Sequence, residues 1–413
     1  MTSTPRALPV DFDPQVRQLL SELPAEISDT LSLGEQLRAQ GWLPEQISAA
    51  FTQHQLRLKA RNKFEDEDAS RMLFTNDGLQ QASRWEVSRL HAKRMREAGI
   101  SAVADLGCGI GAESLAFAQA GLTVTAVEID PLTARYAKHN LSPFPSAQIL
   151  TADATTVDLI SLGAQAFFSD PARRRGGRRL KDPESWLPPL STALGWGKQL
   201  PGGIKVAPGL PYQLIPVDGH AQFTSVAGAV VEACLWLGTL AGRPGRSAVM
   251  IRDGKKYTLT DETLDNPHTV IPAPVGELGS YIYEPDGAIV RAGLLSALAK
   301  RFDLRLIDPQ IAYLTGDVNP LEMPPAKRTQ LLAFTQAFEV IDTAPIHRKH
   351  LVKAVRAADF NSIEILSRGI DLDPAKLRTQ LKLTGNRRGA LLLMRRDNNR
   401  RAILGLPVMA TGG

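Results

Sequence analysis

Apolar positions near the start of the chain recur at the spacing of a helix, as in the run VRQLLSEL. The segment LPEQI at 43–47 is typical of a helix start with proline in the first turn. A long amphipathic run follows Gly78 and stops before Gly99. This pattern predicts a helical N-terminal cap over residues 1–96.

The pattern changes at Ile100 to short apolar runs that alternate with helical stretches. The runs SAVADL, LTVTAVEI, SAQILTA and AQAFFSD predict strands, with helices at AESLAFAQA and PLTARYAKHNL between them. Four later runs, GGIKVAP, AQFTSVAG, VVEACLWLG and SAVMIRDG, predict further strands, some of them antiparallel. Such alternation is typical of a parallel sheet with helices on both faces, so we predict a doubly wound α/β domain over residues 97–255.

Two further segments complete the chain. Residues 256–279 are rich in proline, glycine and acidic residues, which favours a loop or linker. From there to the end, the runs YIYEPDG, FEVIDTAP, GALLLMRR and RAILGLPV predict strands, with helices between several of them. We therefore predict an α+β module over residues 280–413.

The composition is that of an ordinary soluble protein, with 43% hydrophobic and 22% charged residues. No apolar run approaches the roughly 18 residues of a membrane helix, and the first twenty residues lack the apolar core of a signal peptide. Two cysteines, Cys108 and Cys234, exclude a disulfide framework and a four-cysteine zinc site, and the seven histidines show no metal-site spacing. We expect a soluble, cytoplasmic protein with no metal and no membrane association.

The distribution of charge adds a candidate partner. The whole chain carries +5, but the 63 residues from Ile341 to Ile403 hold 14 lysines and arginines and 6 acidic residues, a net charge of +8. A basic C-terminal module on a slightly acidic body favours a polyanionic partner. A solvated surface with spare basic residues is the alternative.

The candidate chemistry begins at residues 103–113, VADLGCGIGAE, where a predicted strand enters a glycine-rich turn followed at once by a helix. Glycines let the backbone approach a ligand closely, and a helix N-terminus offers free N–H groups. Asp105 would repel a phosphate there, so it suits a ligand with an ammonium group. Glu128 ends the next strand, where a carboxylate accepts hydrogen bonds from ribose hydroxyls, and Asp153 follows the third strand, where it can receive an adenine amino group.

This pattern resembles the class I S-adenosylmethionine-dependent methyltransferases over residues 101–174. The resemblance implies a seven-stranded, Rossmann-like sheet and S-adenosylmethionine as cofactor. The alternatives are a purely structural turn or a nicotinamide-binding domain, but the latter prefers GxGxxG and here the third glycine comes one residue early. The positions implied to hold the cofactor are Asp105, Gly107, Cys108, Gly109, Glu128, Ile129, Asp153, Ala154 and Asp170.

A second motif, Asp170-Pro171-Ala172-Arg173, follows the fourth predicted strand and therefore lies at the carboxyl edge of the sheet, where ligands bind in such folds. It resembles the family's substrate motif, in which the acid and the adjacent carbonyl orient a base nitrogen towards the methyl group. The family's second proline is Ala172 here, and the aromatic residue is missing. Asp170 and Pro171 are the predicted catalytic residues, with Asp170 as orienting group or proton acceptor.

Five arginines lie within the seven residues 173–179, starting with the last residue of the motif. An arginine fork pairs with two phosphate oxygens at once, so this cluster favours a substrate with phosphates. A solvated loop is the alternative, as is a pairing of Arg173 with an internal carboxylate. The predicted substrate-binding residues are Arg173, Arg174, Arg175, Arg178 and Arg179.

The C-terminal region resembles the THUMP-like domain that follows the catalytic domain in a group of bacterial methyltransferases. THUMP domains bind RNA, so the resemblance implies an RNA partner by analogy. The positions expected to meet phosphates are Arg368, Gly369, Lys382, Arg387 and Arg388, with a plain surface role as the alternative for each.

Together these features predict a methyltransferase that acts on a base nitrogen of a structured tRNA or rRNA. The alternatives are a methyltransferase for a small acidic molecule or a protein side chain, and a non-catalytic RNA-binding protein. Covalent cysteine catalysis has little support, because Cys108 lies within the glycine turn and Cys234 has the apolar flanks of a core residue.

Overall fold

The computed structural model describes residues 10–175, 178–381, 383–396 and 399–408. The chain forms two compact units. The first unit comprises Met1–Lys205 and Gly238–Leu240, and the second comprises Val206–Leu237 and Ala241–Gly413.

The first unit opens with helices, as predicted. Aspartate or threonine side chains cap three of them by accepting hydrogen bonds from free backbone N–H groups of the first turn, and proline occupies the first turn of two. The helices are α1 Pro14–Glu22, α2 Thr30–Ala39, α3 Pro44–Ala60, α4 Asp66–Arg71, α5 Asn76–Gln81 and α6 Trp85–Glu97.

The α/β part of the first unit follows. Its strands are β1 Ala102–Leu106, β2 Thr123–Glu128, β3 Ala147–Thr151, β4 Ala166–Ser169, the short pair β5 Arg174–Arg175 and β6 Arg178–Arg179, and β7 Gly202–Val206. Its helices are α7 Ala112–Gln119, α8 Pro131–Asn140 and α9 Leu190–Trp196.

These strands form a parallel array in the order β7–β4–β1–β2–β3. Strands β1 and β4 are apolar almost throughout and buried, as expected for strands covered on both faces. The order runs outward from β1 in both directions, so β1 and β4 meet at a topological switch point. Ligands bind outside the carboxyl ends of the strands at such a point.

The second unit holds four more strands of the α/β pattern, in the order β11–β10–β8–β9. Strands β8 and β9 form an antiparallel hairpin, while β10 runs parallel to β8, so the predicted mixture is confirmed. The strands are β8 His220–Val226, β9 Ala229–Leu237, β10 Gly245–Arg252 and β11 Lys255–Thr260.

Strand β11 corrects the sequence analysis, which expected a loop from residue 256. The turn before it is Asp253-Gly254, and both residues have positive φ, which is the geometry of the tight two-residue hairpin. The sequence of β11, KKYTLT, buries Leu259 but has too few apolar residues to be distinguished from a linker. With β11, the part of the chain that the structure describes contains nine strands of the α/β pattern, where the sequence analysis expected seven.

A separate seven-stranded sheet in the second unit has the order β13–β14–β12–β15–β18–β17–β16. Its strands are β12 Tyr281–Pro285, β13 Arg305–Asp308, β14 Ile311–Gly316, β15 Thr335–Pro345, β16 Phe360–Arg368, β17 Arg387–Arg396 and β18 Asn399–Pro407. The helices of this region are α10 Gly287–Ala292, α11 Leu295–Phe302, α12 Pro325–Phe334, α13 Arg348–Ala357 and α14 Pro374–Leu381.

Two apolar clusters stabilise this module. One joins Leu351 of α13 and Leu381 of α14 to Leu391 and Leu393 of β17, whereas Leu392 of the same strand belongs to the other cluster. Alternate residues of a strand point to opposite faces, so the sheet is buried on both sides. The α+β module predicted from the sequence is therefore present. Among the helices that the structure describes, none has the length and apolar character needed to cross a membrane.

Candidate active site

The glycine turn between β1 and α7 leaves open space for a ligand. Gly107 and Gly109 have φ values of 85° and 56°, a conformation that favours glycine. A Cβ added at Gly109 would meet no atom within 4 Å, and one added at Gly107 would meet only the Asp170 carbonyl, at 3.7 Å. The backbone N–H groups of Gly107 and Cys108 donate to the Val127 carbonyl of β2, so the turn is held against the sheet.

Asp105 lies directly beneath this turn. The residue is 1% exposed, and its carboxyl group accepts a hydrogen bond of 2.5 Å from the Ser114 hydroxyl of α7. Burial raises the pKa of Asp105 to about 7, and the nearby carboxylates of Glu113 and Asp170 act in the same direction. A cationic ligand beside Asp105 would therefore draw it into its charged form.

Glu128 joins the glycine turn to the end of β2. One carboxylate oxygen accepts from the Gly109 N–H at 2.9 Å, and the other accepts from the Asp130 N–H at 3.0 Å. The next residue, Ile129, is 50% exposed, which is unusual for a large apolar side chain beside a buried strand. A carboxylate and an exposed apolar side chain thus lie next to the open face of the turn.

Asp153 follows β3, the neighbour of β2 in the sheet. Its Oδ1 accepts from the backbone N–H of Thr155 at 2.9 Å and from the Thr155 hydroxyl at 2.8 Å. These bonds lower the pKa of Asp153, so the half-exposed carboxylate stays charged at neutral pH. Ala154 is buried beneath it. The three predicted acids therefore lie at the carboxyl ends of three adjacent strands, β1, β2 and β3.

Asp170 follows β4 and forms an ion pair that the sequence analysis did not foresee. Its Oδ2 accepts a hydrogen bond of 2.8 Å from the Nζ of Lys205 in β7, and Lys205 also donates to the Ser83 hydroxyl at 2.8 Å. The signal was a single lysine in the otherwise apolar run GGIKVAP, at the edge where β4 also ends. Pro171, next to Asp170, is buried.

The arginine cluster forms a small hairpin just beyond this motif. Ala172 pairs with Leu187 through two backbone hydrogen bonds, and then β5 and β6 pair antiparallel. In this pairing Arg174 lies opposite Arg179, and Arg175 lies opposite Arg178. The side chains of these four arginines lie outside the described part of the structure. Arg173 is half-buried and makes no ion pair with a described carboxylate.

Two family profiles and two curated relatives match the chain. Residues 104–167 match a family described as a methyltransferase domain, and residues 335–407 match one described as THUMP domain-like. Uncharacterized S-adenosylmethionine-dependent methyltransferases from Mycobacterium tuberculosis strains CDC 1551 / Oshkosh and H37Rv are each 34% identical over 331 residues, 79% of this chain and 85% of the relative. The chain belongs to the S-adenosylmethionine-dependent methyltransferases.

A solved structure shares the fold of this methyltransferase. It is that of a candidate methyltransferase from Porphyromonas gingivalis W83, with a TM-score of 0.67 and 18% identity over 89% of this chain and 92% of that chain. The cofactor of this family is S-adenosylmethionine. The turn at Gly107 and Gly109 is compatible with it, because glycine has no side chain and the space beside both residues stays open for a ligand.

The methyltransferase also contains a buried histidine–glutamate pair behind the turn. His91 of α6 lies 3.0 Å from Glu113 of α7, and both side chains are almost completely buried. Burial by itself would raise the pKa of Glu113, but His91, with a further contribution from Lys205, lowers it to about 2. Glu113 therefore keeps its negative charge at neutral pH, close to Asp105. The two partners are 22 residues apart, and no sequence pattern linked them.

The N-terminal cap holds the glycine turn through Asn140, the last residue of α8. Its Nδ2 donates to the carbonyls of Ile110 and Leu73 at 2.9 and 3.0 Å, and its Oδ1 accepts from the Leu73 N–H at 2.8 Å. Gly78 of α5 packs against Ile110 so closely that a Cβ there would lie 2.5 Å from the Ile110 side chain. The cap thus helps to support the glycine turn.

Replacing Asn140 by alanine should destabilise the methyltransferase by about 3 kcal/mol, because each buried group left without a partner costs roughly 1–3 kcal/mol. It should also weaken S-adenosylmethionine binding, since the turn loses its support at Ile110. Urea unfolding and calorimetry measure the two effects, with the exposed Asn62→Ala variant as control. Unchanged stability and affinity in Asn140→Ala would contradict this role.

Two expectations for other residues now have an outcome. Arg368 was expected to meet phosphate, but it donates from two guanidinium nitrogens to Glu284 of β12 and lies over the Tyr313 ring, so that expectation is wrong. Arg387 and Arg388 are exposed, and Lys382 lies outside the described residues.

Cys108 and Cys234 are buried, and burial raises the pKa of the Cys108 thiol, which disfavours a nucleophilic role.

Proposed function

We propose that this methyltransferase methylates a base nitrogen of a structured RNA, a tRNA or rRNA. The observation that carries the proposal is the arginine hairpin, whose two strands β5 and β6 follow Asp170 directly at the carboxyl edge of the sheet. Four of the five clustered arginines belong to these two strands, and an arginine fork pairs with two phosphate oxygens at once. The basic C-terminal module and its THUMP-like match support the same partner.

The cofactor's place follows from the acids at the three strand ends. We propose that Asp105 receives the ammonium group, Glu128 the ribose hydroxyls and Asp153 the adenine amino group. The glycine turn at Gly107, Cys108 and Gly109 would lie against the methionine part, where it has open space. Ile129 and Ala154 complete the set as apolar contacts beside the adenosine.

The acceptor's place follows from Asp170 and Pro171. Bound S-adenosylmethionine supplies a methyl group on a good leaving group, so the protein's main task is to place the acceptor in line. The backbone carbonyl of Asp170 lies beside Gly107, and 27% of the Asp170 side chain is exposed. We propose that its carboxylate accepts a hydrogen bond from the acceptor nitrogen. It would also take a proton from a nitrogen that must lose one.

The activity is tested by transfer of a labelled methyl group from S-adenosylmethionine to undermethylated total RNA, with protein and metabolite extracts alongside. We expect label in the RNA fraction, and digestion to nucleosides then names the methylated atom. Label only in the protein or metabolite fraction would contradict the RNA assignment and make the arginine hairpin a clamp for an acidic substrate.

A second prediction tests the hairpin by itself. In the double variant Arg174→Gln/Arg179→Gln, RNA binding should depend less steeply on salt. The magnitude of the negative slope of log affinity against log salt should decrease by roughly 2, because each phosphate contact contributes about 0.9 to that magnitude. S-adenosylmethionine affinity should stay within twofold. The exposed Arg38→Gln variant is the control, and filter binding at several salt concentrations is the measurement. An unchanged slope would exclude phosphate contacts at Arg174 and Arg179.

A further inference from the structure

Lys205 is a buried lysine at the carboxyl edge of the sheet. Its side chain is 6% exposed, and its Nζ lies 2.8 Å from both the Asp170 carboxylate and the Ser83 hydroxyl. A buried charge costs several kcal/mol unless it is paired and hydrogen-bonded, and apolar residues of similar size are often as stable. The lysine therefore needs an explanation beyond stability.

The position of Lys205 follows from strand register. Ser169 of β4 pairs with Ile204 of β7, so Asp170 and Lys205 come next along two adjacent parallel strands. Ser83, in the connection between α5 and α6, brings the N-terminal cap to the same point. One cation thus joins the cap, the strand end and the predicted acceptor site.

The lysine also lies among acids that act on one another. Glu113 and Asp170 both lie close enough to Asp105 to raise its pKa. Lys205 is among the groups that lower the pKa of Glu113. Asp170 differs from the other two because 27% of its side chain is exposed. Its Oδ2 is held by Lys205, while part of the side chain remains exposed.

We propose that Lys205 is a positioning residue for methyl transfer, which holds the Asp170 carboxylate in the orientation that receives the acceptor and is itself oriented by Ser83. This inference rests on the role proposed above for Asp170. It gives the N-terminal cap a part in the acceptor site through Ser83. It requires the effect of Lys205 to pass through Asp170 rather than through the cofactor or the fold.

The test compares kcat, KM for the acceptor and Kd for S-adenosylmethionine in Lys205→Met, Lys205→Arg and the exposed control Lys198→Met. We expect Lys205→Met to lower kcat at least 100-fold with cofactor Kd within threefold of the wild type. Lys205→Arg should recover at least tenfold of that loss, because arginine keeps the charge. A parallel loss of cofactor affinity, or no recovery with arginine, would overturn the proposal.

A double variant decides whether Lys205 acts through Asp170. If it does, Asp170→Asn/Lys205→Met should be no slower than Asp170→Asn alone, whereas independent effects would multiply and overturn the proposal. Ser83→Ala keeps the buried charge and serves if Lys205→Met does not fold. It should lower kcat about tenfold with unchanged cofactor Kd, and an unchanged kcat would count against the proposal.

The same comparison separates this inference from the proposed function. If the wild type labels a protein or a metabolite instead of RNA, the RNA assignment fails. The ratios of kcat among the Lys205, Ser83 and Asp170 variants are then measured on that acceptor, and they test the positioning role in the same way.

Discussion

Replacing Asp105 by asparagine is expected to weaken S-adenosylmethionine binding roughly 10- to 100-fold. The variant keeps the shape and an acceptor for the Ser114 hydroxyl but loses the negative charge proposed to face the cofactor's ammonium group. Hydrogen bonds to charged groups contribute about 1.5–3 kcal/mol, and tenfold in affinity is about 1.4 kcal/mol. Calorimetric titration measures the effect, with the exposed Asp66→Asn as the control.

The wild type should show a pH dependence that Asp105→Asn lacks. Burial holds the pKa of Asp105 at about 7, so the group becomes neutral as the pH falls below 7. A bound cation favours the charged form, so wild-type affinity should fall from pH 7 to 6, and binding should release a proton in that range. Equal cofactor affinity in the wild type and Asp105→Asn would contradict the assignment.

Stability distinguishes this loss of binding from misfolding. A carboxyl group whose folded pKa lies above its unfolded value stabilises the fold at low pH and loses that contribution as the pH rises through the folded value. The wild type therefore bears the cost of a buried charge above pH 7, and asparagine does not. At pH 8 the variant should be at least as resistant to urea as the wild type, and a clear loss of stability would indicate a damaged fold.

Replacing Arg246 by methionine should destabilise the protein by about 4 kcal/mol, because two buried carbonyls and a partly buried one lose their donor, and each buried group left without a partner costs roughly 1–3 kcal/mol. Arg246 is 1% exposed and lies 4.0 Å above the Tyr212 ring. Its guanidinium donates to the carbonyls of Ala292, Pro267 and Thr269, and so ties β10 to the segment after β11 and to the end of α10.

Urea unfolding of Arg246→Met measures this loss, and Arg243→Met, an exposed position three residues earlier, is the matched control. Lysine at 246 should give an intermediate result, since one ammonium group cannot satisfy three carbonyls in the fork geometry of arginine. The segment at 261–272 should also exchange its amide hydrogens faster in Arg246→Met. A loss below 1 kcal/mol would show that these carbonyls find other donors.

Local chemistry made much of the fold predictable. The cap, the alternating strands and helices, and the glycine turn each depend on neighbouring residues, so their patterns are visible in the chain itself. The prediction missed strand β11, although Asp253-Gly254 is a strong hairpin signal, because the strand itself is mostly polar. The basic residues of the C-terminal module could not be interpreted from the sequence in the same way. A count of charges does not reveal that Arg368 is paired with Glu284 within the module.

The sequence by itself determined the family, the cofactor and the acids at the ends of β1, β2 and β3, because parallel strands bring their carboxyl ends to one edge. Only the tertiary structure decided which partners those groups have. Lys205 meets Asp170 across 35 residues, and Asn140 meets Leu73 across 67. Such contacts depend on the register of neighbouring strands and on helix packing, which no local pattern encodes. The pKa of Asp105 near 7 has the same origin, since burial and neighbouring carboxylates exist only in the folded chain.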